Sequence, residues 1–177
     1  MNNLKPIMFL VPVIALTLVI ILYFYLLKQS THKKTFKLFA FRVAILAFLL
    51  NLGWELIQMP LYEGSSYSKN FIAYCALASV ADAIMVLLLY LGFAFILKNM
   101  FWVEFLNTQQ IIFVILTGGT GAILSEMRHL SLGSWVYADA MPIIPYINVG
   151  ISPVLQFMIL PLLTYFLSFR GFKKYLT

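Results

Sequence analysis

Hydrophobic and polar positions divide the chain into five long apolar runs separated by short polar stretches. A helix that crosses a bilayer needs ~20 mostly apolar residues. Five segments meet that length, at about 7–27, 39–62, 71–97, 110–130 and 147–169. The first opens at Pro6, a residue suited to a helix start. Only Lys5 precedes it as a charge and no small-residue cleavage site follows, so it reads as a retained helix rather than a removed signal peptide. The fourth is the least apolar; its clean run ends at Leu124, and Glu126, Arg128 and His129 follow. The short alternating segments of a transmembrane barrel are missing. The pattern predicts an all-α fold, a polytopic transmembrane helix bundle of five spans. Residues 1–177 form a single integral-membrane domain without internal repeats.

Composition agrees. Apolar types make up 63% of the chain and charged residues 10%, whereas soluble domains carry roughly 25% charge. That composition argues against an ordinary soluble globular enzyme, and it excludes a disordered chain. The net charge of +6 reflects membrane topology rather than nucleic-acid binding. Cys75 stands alone, so no disulfide forms within the chain. Phosphate-loop, CxxC and HExxH motifs are missing. With only His32 and His129, a zinc site would need carboxylates to complete it. The expectation is therefore no metal and no organic cofactor.

Charge placement sets an orientation. Lys28, Lys33, Lys34, Lys37, Arg42, Lys98, Arg170, Lys173 and Lys174 fall on one side of a five-span protein, and Lys5, Lys69 and Arg128 on the other. Nine cations against three place the N-terminus outside and the C-terminus in the cytoplasm. The protein is expected to be multi-pass, in the cell membrane if the source is prokaryotic. The outer stretch 131–146 holds Trp135, Tyr137, Pro142 and Pro145 and reads as an ordered cap at the interface.

The informative residues are those whose placement costs energy. An acidic or basic side chain at a helix centre costs ~2.5–3.5 kcal/mol on insertion scales. Glu55, Asp82 and Glu126, each on a different span, would together cost on the order of 8–10 kcal/mol if unpaired, taking Glu as similar to Asp. Ionisable residues inside a membrane are functional suspects by default. In the second span, Asn51, Trp54, Glu55, Gln58 and Tyr62 share one helical face, opposite Leu52, Leu56 and Ile57. This stripe serves either as the wall of a buried pocket or as a helix–helix hydrogen-bond seam. In the third span, Cys75, Ser79 and Asp82 repeat that spacing among small alanines, with a structural Asp as the alternative.

The fourth span carries Thr117, Gly118, Gly119, Thr120 and Gly121, a cluster suited to tight packing or to backbone bordering a cavity. Glu126 and His129 have the i, i+3 spacing of carboxylate-bridged di-metal bundles, but the second such pair that those sites need is missing. Glu126 and Arg128 are instead expected to serve substrate or structure. In the fifth span Ser152 and Gln156 lie one turn apart, with Pro153 and Pro161 suggesting kinks. Depth brings Glu55, Asp82 and Glu126 toward one pocket near the outer leaflet, roofed by 131–146. Catalysis is assigned to these three acids. Substrate binding is assigned to Asn51, Trp54, Gln58, Arg128, Trp135, Tyr137 and Gln156.

In a dry pocket holding two carboxyls, one keeps its proton while the other ionises, and the pair does general acid/base work. Nothing sets up a nucleophile elbow around Ser125, Ser131 and His129. The chemistry expected is proton transfer on a lipid-soluble polyene by cyclisation, isomerisation or hydration, with Trp54, Trp135 and Tyr137 stabilising cationic character. Such an enzyme would be a lyase or an isomerase.

Asn51-Leu52-Gly53-Trp54-Glu55 resembles the Asn-x-x-Trp-Glu signature of the small integral-membrane terpene cyclases of fungal meroterpenoid and indole-diterpene pathways. The resemblance implies that Glu55, with an acid on another helix, protonates an epoxide or olefin of an isoprenoid without metal. Asp82, Glu126 and Asp139 all stand as that second acid. Members of the family are typically seven-span and longer, whereas this chain has five spans. The stretch from Glu126 to Pro142 is also similar to the carotenoid hydratase-like membrane proteins, with an acid followed by an aromatic pair.

Two other classes fit the same residues. One is a small transporter or proton-coupled permease with acids as relays; five spans without inverted repeats argue against the common transporter architectures, for which a dimer could compensate. The other is a non-catalytic assembly protein whose polar residues lock helices together. The partners expected are the lipid bilayer and a hydrophobic small molecule, with no nucleic acid and with homo-oligomerisation left open.

Overall fold

The computed structural model describes residues 6–170 and Phe172. Lys5, Lys173 and Lys174, used above for orientation, lie outside the described residues. Five helices are long and apolar enough to cross a membrane. A 3-10 turn, Pro6–Phe9, leads into α1, Leu10–Gln29. Helix α2 runs Lys33–Gln58 and ends in a second turn, Met59–Leu61. Helix α3 covers Lys69–Ile96, and a third turn, Trp102–Phe105, precedes α4, Thr108–Ser131. Strands β1 (Ile143–Ile144) and β2 (Val149–Gly150) form a short antiparallel hairpin before α5, Ile151–Arg170.

The expected spans are all present with shifted ends. Helix α2 starts about two turns earlier than the apolar run because the Lys33–Lys37 stretch is helical although polar. Helix α5 starts later because 143–150 is spent on the hairpin. Pro161 lies inside α5 without ending it. Local chemistry fixes the starts of α3 and α4. The Ser68 hydroxyl accepts from Phe71 N–H, and Asn107 and Gln110 exchange side-chain bonds in a capping box.

Packing defines the neighbours. Helix α2 lies between α3 and α5, α1 packs on the α3 side, and α4 packs on α5. The small residues of α4 face α5: a Cβ on Gly118 would overlap the Phe157 carbonyl oxygen, and one on Gly119 would come within 3.0 Å of Met158 Cγ. The 117–121 cluster therefore serves close packing at these two glycines, while Gly121 has open space. Gly118→Ala is expected to cost about 1–3 kcal/mol by overpacking, and Gly121→Ala to cost nothing comparable. Thermal unfolding of the purified variants checks the contrast.

Along its length the bundle has two characters. Toward the end away from the cap it is filled by rings, with Phe36, Phe39, Tyr90, Trp102, Tyr165 and Phe172 all buried. Their polar atoms are spent on backbone carbonyls: Tyr165 Oη donates to Val86 at 2.9 Å, and Trp102 Nε1 to Tyr90 at 3.2 Å. Toward the other end, where the segments 59–68 and 132–150 form a cap, the interior is polar. The cap is tied together by backbone bonds from Glu63 N–H to Val136 and from Ala138 N–H to Leu61, both 2.9 Å, around a bridge between Tyr62 and Tyr137.

Candidate functional site

The polar stripe of α2 faces the bundle interior, and Gln156 of α5 is its counterpart. Asn51 is fully buried and Gln156 is 1% exposed. Gln156 Nε2 donates to Asn51 Oδ1 at 2.9 Å, to Asp82 Oδ2 at 3.0 Å and, at a longer 3.3 Å, to Glu55 Oε1. Glu55 Oε1 receives its firmer bond from Gln58 Nε2, at 2.7 Å, and that same amide donates to Gln156 Oε1 at 3.1 Å. Gln58 Oε1 accepts from Trp54 Nε1 at 3.2 Å and from Ser152 Oγ at 2.8 Å. A single continuous network therefore joins α2, α3 and α5, with two glutamines carrying the connections between the acids.

Glu126 is held separately, by the cap. Trp135 Nε1 donates to its Oε2 at 3.2 Å, the Tyr137 hydroxyl donates to the same oxygen, and Gly150 N–H donates to Tyr137 Oη at 3.1 Å. Gly150 permits this approach, since a Cβ there would fall 3.1 Å from the Tyr137 ring and 2.9 Å from Met141 Sδ. His129 stacks on Trp135 with centroids 4.4 Å apart and bonds Ser134, so it braces the ring that holds Glu126. Tyr137→Phe orphans the Gly150 N–H and strips one donor from Glu126. It is expected to cost about 1–3 kcal/mol, read as a lowered melting midpoint together with a shift in Trp135 fluorescence.

Tyr62 joins the two halves. Its ring packs on Trp135 and Tyr137, with centroids at 6.2 and 5.7 Å. Burial, and after it the nearby Glu126, Glu55, Tyr137 and Asp82, push its hydroxyl well above the ordinary tyrosine range. One side chain thus lies within electrostatic reach of all three acids. Burial and the bond to Glu126 likewise raise Tyr137.

Each acid has one oxygen tied to protein donors and one free. Glu55 Oε2, Asp82 Oδ1 and Glu126 Oε1 accept no hydrogen bond from a described residue, yet none of them is sealed away among the buried unpartnered atoms. Glu55 and Asp82 are themselves only half-buried, and Glu126 is 7% exposed. Three carboxyls on three helices therefore present one unengaged oxygen apiece. Among the described residues, no three His, Cys, Asp or Glu side chains gather as a metal-holding group. The acids share a region of the bundle without meeting at one point.

Of the residues assigned from sequence, Asn51, Trp54, Glu55, Gln58, Asp82 and Gln156 share one hydrogen-bond network, and Glu126, Trp135 and Tyr137 form a second cluster in the cap. Arg128 is not with them. Two positions along a helix turn a side chain through about 200°, and Arg128 leaves Glu126 to donate to the Ile7 carbonyl at 2.8 Å. Asp139 is exposed in the cap and takes no part in the network. Ser79 spends its hydroxyl on Cys75 of its own helix at 2.7 Å. Sequence reasoning left Tyr62 and Ser152 out of the site, although Tyr62 falls seven positions after Glu55 on the same stripe. A groove of about 330 Å³ lies over Tyr62, bordered also by Met59, Glu63, Tyr67 and Ala138. No protein-family model matches this chain, and no curated protein or solved structure matches it.

Proposed function

We propose that the chain is a membrane-embedded acid/base enzyme acting on a lipid-soluble, isoprenoid-like substrate, by cyclisation, isomerisation or hydration. The observation that carries this reading is the set of three carboxyls from three helices, each with one oxygen anchored and the other unengaged. A helix seam needs amide and hydroxyl pairs, which Asn51, Gln58, Ser152 and Gln156 already supply. It has no use for Glu55 and Asp82 beside them, each costing ~2.5–3.5 kcal/mol on the insertion scale if Glu is taken as similar to Asp.

In the proposed reaction one carboxyl gives its proton to an olefin carbon or epoxide oxygen, and a new C–H or O–H bond forms as the π or C–O bond opens. A second carboxyl takes a proton from the carbon next to the resulting cation. Isomerisation and cyclisation balance with no co-reactant, and hydration consumes one water. Glu55 and Asp82, sharing Gln156, are the proposed pair. Glu126, held by Trp135 and Tyr137, sets the field above them. The rings of Trp54, Tyr62, Trp135 and Tyr137 favour cationic character by cation–π attraction. The likeness of Asn51–Glu55 to the membrane terpene cyclases supports the same roles. The loop charges support an extracytoplasmic position for the capped end.

The test is to incubate membranes containing the protein with polyene and epoxy-isoprenoid substrates and to look for new products. Product that depends on the protein and on Glu55 supports the enzyme. No product, with proton-coupled uptake in vesicles instead, replaces it with a permease.

A further inference from the structure

Arg128 carries a charge that no carboxylate among the described residues answers. Its Nη2 is committed to the Ile7 carbonyl, while Nη1 is buried without a hydrogen-bond partner. No described carboxylate pairs with it, and the nearest acid along the helix, Glu126, is engaged by Trp135 and Tyr137 on another face. A guanidinium taken partly out of water without an anion is costly, and an unmade bond to a charged group more so than to a neutral one. The guanidinium also sits at the head of an apolar wall. Leu124, one turn below it on α4, is 63% exposed, with Met127 exposed beside it. The segment that Arg128 grips leads into α1, where Ile7, Leu10 and Ile14 are exposed as well.

We propose that Arg128 is a binding site for the phosphate head of a membrane amphiphile, whose hydrocarbon chain lies along the exposed residues of α4 and the start of α1. The planar guanidinium suits this because its donors can be divided, one nitrogen holding a backbone carbonyl and the other meeting an oxyanion. The bond to Ile7 fixes the guanidinium so that Nη1 is directed rather than mobile. The site lies on a different face of α4 from Glu126, so it does not depend on what the acids do. The amphiphile is a phospholipid of the bilayer, because the wall below Arg128 is the exposed apolar face of helices long enough to span it; a phosphorylated isoprenoid is the alternative that the test separates.

Native mass spectrometry of the detergent-purified protein tests this with three probes: phosphatidylglycerol, diacylglycerol and a C20 prenyl diphosphate. In the wild type, phosphatidylglycerol is expected to be retained roughly ten- to a hundredfold more tightly than diacylglycerol. Arg128→Gln is expected to abolish that preference, and Glu55→Gln to leave it intact. Displacement of phosphatidylglycerol by the prenyl diphosphate assigns the site to an isoprenoid ligand, and failure to displace it assigns the site to a bilayer lipid. Equal retention of phosphatidylglycerol and diacylglycerol by the wild type overturns the proposal, whether or not Arg128→Gln folds. So does an unchanged preference in a folded Arg128→Gln.

Discussion

Glu55→Gln is expected to reduce turnover in the proposed reaction by about 10²–10⁴-fold, the usual worth of a positioned general acid or base, while leaving the bundle folded. The substitution is nearly isosteric. Glu55 Oε1 accepts from Gln58 and Gln156, and a glutamine keeps a carbonyl oxygen for both donors. What it removes is the proton that the carboxyl can give or take through its unengaged oxygen. The measurement is product formation at matched protein levels, with thermal unfolding alongside. Full activity in a stable Glu55→Gln protein would remove Glu55 from the chemistry and favour the assembly role. A loss of activity that follows a loss of fold would say that Glu55 is structural. Asp82→Asn follows the same logic and is the natural second variant.

The largest loss of stability is expected from Gln156→Leu, roughly 3 kcal/mol or more, since each buried group left unpaired costs about 1–3 kcal/mol. Leucine fills similar space, so the cost comes from bonding rather than from a cavity. Asn51 Oδ1 and Asp82 Oδ2 lose their donor, Glu55 loses its second, and Gln58 Nε2 loses an acceptor. Gln156 also ties α5 to both α2 and α3 through one side chain, so loosening it reaches three helices. Denaturant or thermal unfolding in detergent reads the effect. A variant within 0.5 kcal/mol of wild type, the range of an ordinary surface change, would show that the network does not hold the capped half together.

These two substitutions separate what is easily confused in a membrane bundle. Glu55→Gln preserves hydrogen bonds and removes an acid, whereas Gln156→Leu preserves the acids and removes the bonds between them. If the site is catalytic, the first alters rate more than stability. Gln156→Leu alters stability first and rate only through the geometry of Glu55 and Asp82.

Much of the architecture is legible in the sequence itself. Length and apolarity are properties of contiguous sequence, so the five spans could be read directly. Only their ends moved, where helix continued through polar residues in the Lys33–Lys37 stretch or gave way to the hairpin before Ile151. The one-sided stripe of Asn51, Trp54, Glu55 and Gln58 was equally readable, because helical periodicity alone puts those residues on one face. So was the suspicion attached to Glu55, Asp82 and Glu126, whose cost in an apolar setting does not depend on the fold.

The tertiary structure decided who meets whom. Periodicity orders side chains around one helix but says nothing about which helix stands opposite or how it is turned. That was settled by packing, such as the approach of α4 to α5 at Gly118 and Gly119, and by α2 lying between α3 and α5. From this it follows that Gln156 connects Glu55 with Asp82, that the cap rather than Arg128 engages Glu126, and that Tyr62 packs on the two rings that hold Glu126. Arg128 and Glu126 are two residues apart in sequence yet leave opposite faces of α4, because a helix turns about 100° per residue. The energetic cost of a buried charge is written in the sequence; its partner is chosen only when the helices come together.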